Sequence, residues 1–396
     1  MKKINKITAA IFLPLVLLFT SCFDPIFYEI RKDVKPEEST VYGYIGQITR
    51  FTMNGEEYLF LSANGGLRYK KASNQSHGSW STMSLPFNLV SFNFNDTSMD
   101  EKQLIGVYAN SDTLYIVAAP YITTGSEGNT NPWDLELWGW QEDNGWNKID
   151  MNFPLGYDSY SQHFESIFHV FQTNAPKTAH RRAYICAYSD GKYKYFELKG
   201  IAAPKEIDLT DKIKGDGLAY SAAYFNNDVQ FFSSKAVTTD EAYDYDDDPS
   251  NDAETDAKHL YYANGDELWY SDSNSESGYS KACSAGRTIS ALATTKDSIL
   301  IGLGNITSTS SNYGGITRVL LDDNGIPAKS TTGFASNADF QITTAYEVLT
   351  LLNASPDKSE AESALYSSIA FSGYSGLYEN ICLWSYYPDR GNWNYE

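Results

Sequence analysis

A polar turn carrying glycine recurs along this chain, each time after an apolar strand and before a new one. The turns are Ser76-His77-Gly78, Asp143-Asn144-Gly145, Ser189-Asp190-Gly191, Glu276-Ser277-Gly278, Asp323-Asn324-Gly325 and Asp389-Arg390-Gly391. Trp80, Trp146, Tyr193, Tyr279, Ile326 and Trp393 follow them. Asx-Gly pairs supply the positive backbone angles of a tight hairpin, which is why they mark strand-to-strand reversals. The strands ahead of the turns match too: Leu135-Glu136-Leu137-Trp138, Glu267-Leu268-Trp269-Tyr270, Ile316-Thr317-Arg318-Val319 and Ile381-Cys382-Leu383-Trp384.

Spacings between the following residues are 66, 47, 86, 47 and 67. The value that occurs twice sets the base period, and the longer gaps read as insertions. Upstream, each unit is expected to carry an inner strand pair, of which Glu57–Leu61, Thr113–Val117, Val229–Phe232 and Ser298–Gly302 are members, most of them opened by a polar turn such as Asn54-Gly55 or Asn226-Asn227-Asp228. Four strands per unit at a period of about 40–50 residues define a β-propeller blade. The expectation is an all-β, single β-propeller over 41–396, with six blades favoured and seven allowed, the seventh sought near Asn88 to Asn110. Thirty Tyr, 20 Phe and 8 Trp suit strands packed face to face. The best helical window, Asp357 to Tyr366, is short.

The turn at Asp389-Arg390-Gly391-Asn392-Trp393 resembles the core of Asp-box repeats with one residue missing. That resemblance implies a propeller turn between third and fourth strands, and such propellers include both sialidases and proteins that are not enzymes. A sialidase would also require an arginine cluster with a Tyr–Glu pair and an Asp. Arg50, Arg68, Arg287 and Arg318 fall in different units, and no local pattern joins them. Carboxylate pairing is a matter of distance, which sequence does not carry.

Residues 1–21 read as an export signal: Lys2, Lys3 and Lys6, then an apolar run from Ala9 to Phe19, then Thr20-Ser21 before Cys22. The apolar run falls short of the ~20 residues needed to span a bilayer. Leu18-Phe19-Thr20-Ser21-Cys22 resembles the lipobox of bacterial lipoproteins, of the looser spirochaete type, with Phe19 where Leu is usual. The resemblance implies acylation of Cys22, a membrane partner through the lipid anchor, and a place in the cell envelope, periplasmic or surface-exposed. Residues 22–40, with Pro25 and Pro36, then form a tether.

Removal of the signal takes the formal charge from −20 to −23. A body this acidic repels nucleic acid. Three cysteines remain after Cys22: Cys186, Cys283 and Cys382. Their odd number excludes a fully paired set, and since free cysteine is among the most buried residue types, three separate buried thiols are expected, with one disulfide as the alternative.

One acidic stretch is a candidate calcium loop. Asp244, Asp246, Asp248 and Asp252 take positions 1, 3, 5 and 9 of that pattern, but Pro249 stands where glycine makes the sharp turn and Thr255 replaces the closing Glu. A solvated insertion is the plainer reading. The five histidines are scattered, without zinc-ligand spacing. The clustered aromatics Trp133, Trp138 and Trp140, and Trp384 with Tyr386 and Tyr387, suit packing between blades before they suit sugar stacking.

The functional expectation is a non-enzymatic propeller that presents a surface for a protein or glycan ligand, with a sialidase-like hydrolase as the alternative. The long connections Thr123–Trp133, Thr238–Lys258 and Ile306–Gly314 are each expected between second and third strands, and so on one rim.

Overall fold

The computed structural model describes residues 41–43, 45–63, 66–89, 101–120, 135–151, 168–189, 191–241, 256–273, 278–304, 314–332, 345–371, 381–391 and 393–396. Among these residues the regular structure is strand, with short 3-10 turns at Thr178–His180 and Glu360–Glu362. The helical window expected at Asp357–Tyr366 holds only the second of those turns, and Tyr366 already lies in a strand. The strands form seven separate sheets. The all-β propeller expectation holds, and the blade number is seven, not six.

Blade 1 is β1 (Thr49–Met53), β2 (Glu56–Ala63), β3 (Gly66–Lys71) and β4 (Ser81–Met83), in that order across the sheet. Blade 2 comprises β5 (Asn88–Leu89), β6 (Glu101–Ala109), β7 (Leu114–Pro120), β8 (Glu136–Gln141) and β9 (Gly145–Ile149). Blade 3 runs β10 (Phe168–Gln172), β11 (Ala183–Ser189), β12 (Lys192–Leu198) and β13 (Lys205–Ile207). Blade 4 holds β14 (Ile213–Lys214), β15 (Ser221–Phe225) and β16 (Asp228–Phe232), ordered β14-β16-β15. Blade 5 is β17 (Val237–Thr239), β18 (His259–Asn264), β19 (Glu267–Asp272) and β20 (Ser280–Ser284). Blade 6 is β21 (Ile289–Thr294), β22 (Ser298–Leu303) and β23 (Gly315–Leu320). Blade 7 is β24 (Ala345–Asn353), β25 (Leu365–Phe371), β26 (Ile381–Tyr386) and β27 (Trp393–Tyr395).

The missed blade is blade 4, not the 88–110 region, which belongs to blade 2. The gap of 86 between Tyr193 and Tyr279 therefore spans two blades rather than one blade with an insertion. Blade 4 breaks the repeat for a structural reason. Its third place is filled by β14, which precedes β15 in the chain and pairs parallel to β16 through Ile213↔Phe231 and Lys214↔Phe232. No glycine hairpin follows β16, and the chain passes directly into β17. A second misfit accompanies it. The Ser189-Asp190-Gly191 turn joins β11 to β12, second strand to third, whereas the other five glycine turns follow the third long strand of their blades. The spacing of 47 from Trp146 to Tyr193 thus compares unlike positions.

The local chemistry of the hairpins is as the sequence dictates. Asn54 and Gly55 both take positive φ (53° and 71°), as do Asn226 and Asn227 (54° and 58°). Both positions at positive φ make the turn whose twist matches paired antiparallel strands.

Apolar burial is divided among seven clusters, one at each junction between neighbouring blades. Phe51 and Phe60 meet Val107 and Ile116 between blades 1 and 2. Val117 and Leu137 meet Phe168 and Ile185 between blades 2 and 3. Phe171 and Tyr184 meet Phe231 between blades 3 and 4, and Phe225 and Phe232 meet Leu260 between blades 4 and 5. Tyr261 and Leu268 pack on Ile299 and Ile301, and Leu300 on Val348 and Ile369. The ring closes where Ile45, Leu59 and Leu61 meet Tyr366, Leu383 and Tyr387. The aromatics follow this plan. Trp138 and Trp140 pack into the junction of blades 1 and 2, with Trp140 edge-on to Phe51 at 5.9 Å. Trp384 lies 4.0 Å from Tyr395. Trp133 is outside the described residues.

Closure is completed by backbone. The Val41 and Gly43 amides donate to Glu396 O and Ile381 O at 3.1 and 3.0 Å, and Leu383 N donates to Val41 O at 3.1 Å. Residues 41–43 thereby continue the outer edge of blade 7 beside β26. Cys186, Cys283 and Cys382 are in the thiol form, the first two buried and the third half-buried.

Candidate functional site

The first long strand of each blade (β1, β6, β10, β15, β17, β21 and β24) borders the axis. Two cavities lie along it. One, of about 170 Å³, meets the entry ends of these strands. The other, of about 70 Å³, meets their exit ends. Along each strand that lines both, the residues of the larger cavity come first: Ser221 before Tyr224, Ser290 before Thr294, Thr350 before Asn353.

All seven blades line the entry cavity. Gln47 comes from the lead into β1, Tyr108 from β6, His169 from β10, Tyr220 from the lead into β15, Lys235 from the β16–β17 link, Ser290 from β21 and Thr350 from β24. The His169 and Tyr220 rings stack at 4.6 Å with 18° between planes. His169 Nε2 meets Ala219 O at 2.7 Å, which fixes the imidazole against the chain that carries Tyr220. The Lys235 ammonium lies 5.8 Å from the centre of the Tyr220 ring, within cation–π range. Ser221 and Ser290 donate to Ser234 O and Val348 O at 2.6 and 2.7 Å. Their hydroxyl oxygens are thus oriented as acceptors. Gly106 belongs to the wall for a steric reason: a Cβ there would lie 2.7 Å from Tyr108 Oη, so only glycine lets this phenol fold back along its own strand.

The exit end is crossed by ion pairs. Glu57 is bound by Arg50 of its own blade and, at 3.0 Å, by Arg181 of blade 3. Arg181 also donates to Ala175 O and Pro176 O at 2.9 and 2.6 Å, and Arg50 donates to Asn353 O of blade 7. Burial pulls the Arg181 guanidinium down, against the opposing pull of Glu57. Beside them, burial pushes the Glu241 carboxyl up, against its contact with His180. The His180 ring lies 3.8 Å from Tyr224, stacked at 17°.

The arginines named from sequence are not assembled here. Arg50 is brought to Arg181, whereas Arg68 donates to Thr82 at 2.5 Å, Arg318 donates to Glu360 at 2.7 Å and Arg287 is exposed. Of the histidines, His169 lines the axis, and His180 and His259 sit against Glu241 and Asp240. Among the described residues no three His, Cys, Asp or Glu converge as a metal site. Asp244, Asp246, Asp248, Asp252 and Cys22 lie outside the described residues. Among those described, no helix is long and apolar enough to cross a membrane.

The connections on either side of the axis correct one expectation. Counted from the first long strand of each blade, residues 121–135 and 304–314 join second to third strands, as expected. Residues 240–258 join β17 to β18, first strand to second, and leave from the opposite edge. The error has the same origin as the blade count, because Val229–Phe232 belongs to blade 4 and not to blade 5.

No family model matches the chain, and no curated protein does. Solved structures give likenesses at low identity. A puromycin hydrolase S511A mutant complexed with PGG aligns at 11% identity and TM-score 0.37, over 91% of this chain and 47% of that one. This chain therefore spans about half the length of that protein. YCF48 from Cyanidioschyzon merolae aligns at 10% and 0.34, over 91% and 88%. An α-L-arabinanase from Cellvibrio cellulosa complexed with arabinohexaose aligns at 8% and 0.33, over 91% and 96%. The class that the sheets themselves define is a seven-bladed propeller with an axial cavity.

Proposed function

We propose that this chain is a binding propeller, non-enzymatic, which holds part of a glycan at the entry end of its axis and is tethered to a membrane of the cell envelope through an acylated Cys22. The observation that carries the binding reading is the entry cavity. It is concave and shared by all seven blades, and it combines aromatic rings with a few convergent amide and hydroxyl groups, the usual make-up of a small-ligand site. The hydrophobic start, the lipobox-like run at 18–22 and the tether support the anchored reading. A tether of ~18 residues reaches at most ~60 Å, which keeps the ring near the membrane.

The detergent-solubilised full-length chain, applied to a glycan array with and without calcium, tests the binding reading. Retention on defined glycans, weakened by Tyr108→Ala, is the expected result. Absence of retention on every glycan overturns it, and turnover of a bound glycan replaces it with a hydrolase. Cys22→Ser should move the protein from the membrane fraction to the soluble fraction. A variant that stays with the membrane would refute the lipid anchor.

A further inference from the structure

We infer that the entry cavity selects an acidic pyranose, a six-membered polyhydroxylated ring bearing a carboxylate, with Lys235 as the partner of that carboxylate. This rests on the reading of the cavity as a glycan site. Charge carries the inference first. The chain has 50 Asp and Glu against 30 Lys and Arg, yet among the described residues that line this cavity there is no carboxylate. The ionisable side chains that do line it include Lys235 and His169, drawn from blades 3 and 4 and their links. An acidic molecule whose described lining residues here include an ammonium and no carboxylate offers an anion a favourable reception at this end of the axis. The exit cavity is the contrast, because the Glu241 carboxylate lines it.

Size comes second. A closed cavity near 150 Å³ holds one unsubstituted ring such as benzene, so a cavity of about 170 Å³ limits the ligand's seated part to a single ring. Hydrogen bonding comes third. The Ser221 and Ser290 hydroxyls already donate to backbone carbonyls, so they present acceptor oxygens, and ring hydroxyls supply the matching donors. Gln47, Asn174 and Thr350 offer further polar contacts around the same ring. A simple carboxylate fills none of these. The Tyr220 ring, held between its His169 stack and the Lys235 ammonium, sets the position of the charge.

The test is titration calorimetry on the detergent-solubilised full-length chain with methyl glucuronide and methyl galacturonide, their neutral methyl glucoside and galactoside counterparts, and acetate. The acidic glycosides should bind at least about tenfold more tightly than the neutral ones, the effect of one charge-assisted hydrogen bond. Lys235→Gln should abolish that preference, so that acidic and neutral glycosides bind alike. Lys235 is exposed, so this variant should fold, and an unchanged melting curve checks it. Equal binding of acidic and neutral glycosides, or a preference that survives Lys235→Gln, overturns the inference while leaving the glycan reading in place. Acetate binding as tightly as the glycosides overturns the pyranose part. Absence of binding by every sugar, here and on the array, overturns both.

Discussion

Gly302 fixes how closely two blades approach. A Cβ at this position on β22 would lie 2.6 Å from Val348 Cγ1 and 2.9 Å from Val348 Cβ. Valine is stiff at χ1 and cannot swing aside, so the substitution must separate blade 6 from blade 7. Gly302→Ala should lower stability by about 1–3 kcal/mol, the usual cost of overpacking a core, read as a lower urea midpoint. An unchanged midpoint would mean that the junction yields. Gly106 makes the opposite case. Its added Cβ would meet the far end of Tyr108, a movable phenol, at 2.7 Å. Gly106→Ala should therefore leave the urea midpoint nearly unchanged and shift the phenol within the cavity. Ligand affinity should fall where stability does not. Equal losses in both would place Gly106 in the scaffold rather than in the wall of the site.

At the level of strands and blades, the junction of blades 1 and 7 carries a buried ion pair. Lys70 on β3 and Glu396 after β27 meet at 3.3 Å with no exposure of either side chain. Trp80 Nε1 and Ser385 Oγ donate to the same carboxylate at 2.8 and 2.5 Å, and Tyr387 Oη joins them at 2.5 Å. Burial alone would raise the Glu396 carboxyl, but the Lys70 charge and these donors hold it below the ordinary 4.5. Burial pulls the Lys70 ammonium down, and Glu396 opposes that. A depressed carboxyl stabilises the fold above its unfolded value and loses that contribution as pH falls through its folded value. Stability should thus decline below about pH 4.5, and Glu396→Gln should flatten that part of the acid limb. Lys70→Met leaves the carboxylate buried without its cation and should cost about 3–5 kcal/mol, partly regained when Glu396→Gln is added. A double variant no more stable than Lys70→Met would argue against the pair. Legibility from sequence divides at the same scale. Hairpins such as Asn54-Gly55 were readable because positive φ demands particular residues. Blade 4 was not, because β14 enters its third place from upstream and leaves no hairpin to mark it. The cavity was not readable either. His169, Tyr220 and Lys235 converge through side-by-side first strands, and a first strand has no local signature distinguishing it from its neighbours.

For the whole molecule, the decisive question is how a ring of seven sheets, each joined to its neighbours mainly by side chains, behaves as one unit. Six junctions are contiguous in the chain and form between segments already near each other. The seventh joins residues 41–63 to 345–396, which only the completed ring brings together. There the structure adds backbone hydrogen bonds to packing, through Val41, Gly43 and Leu383. Gly43 suits this place twice over, since it donates to Ile381 O and holds φ at 109°. Proline has no amide hydrogen and keeps φ near −65°. Gly43→Pro should therefore remove one closure bond, at roughly 1–3 kcal/mol for the carbonyl left unmatched, and tilt the strand that carries Val41. The edge of β26 would then be uncovered, an unpaired strand edge of the kind that folded proteins protect. The expected outcome is a lower melting temperature together with early proteolysis within blade 7, ahead of cleavage in blades 3 to 5. If cleavage instead appears in all blades at once, closure is not where the ring opens, and the seven junctions share the opening equally.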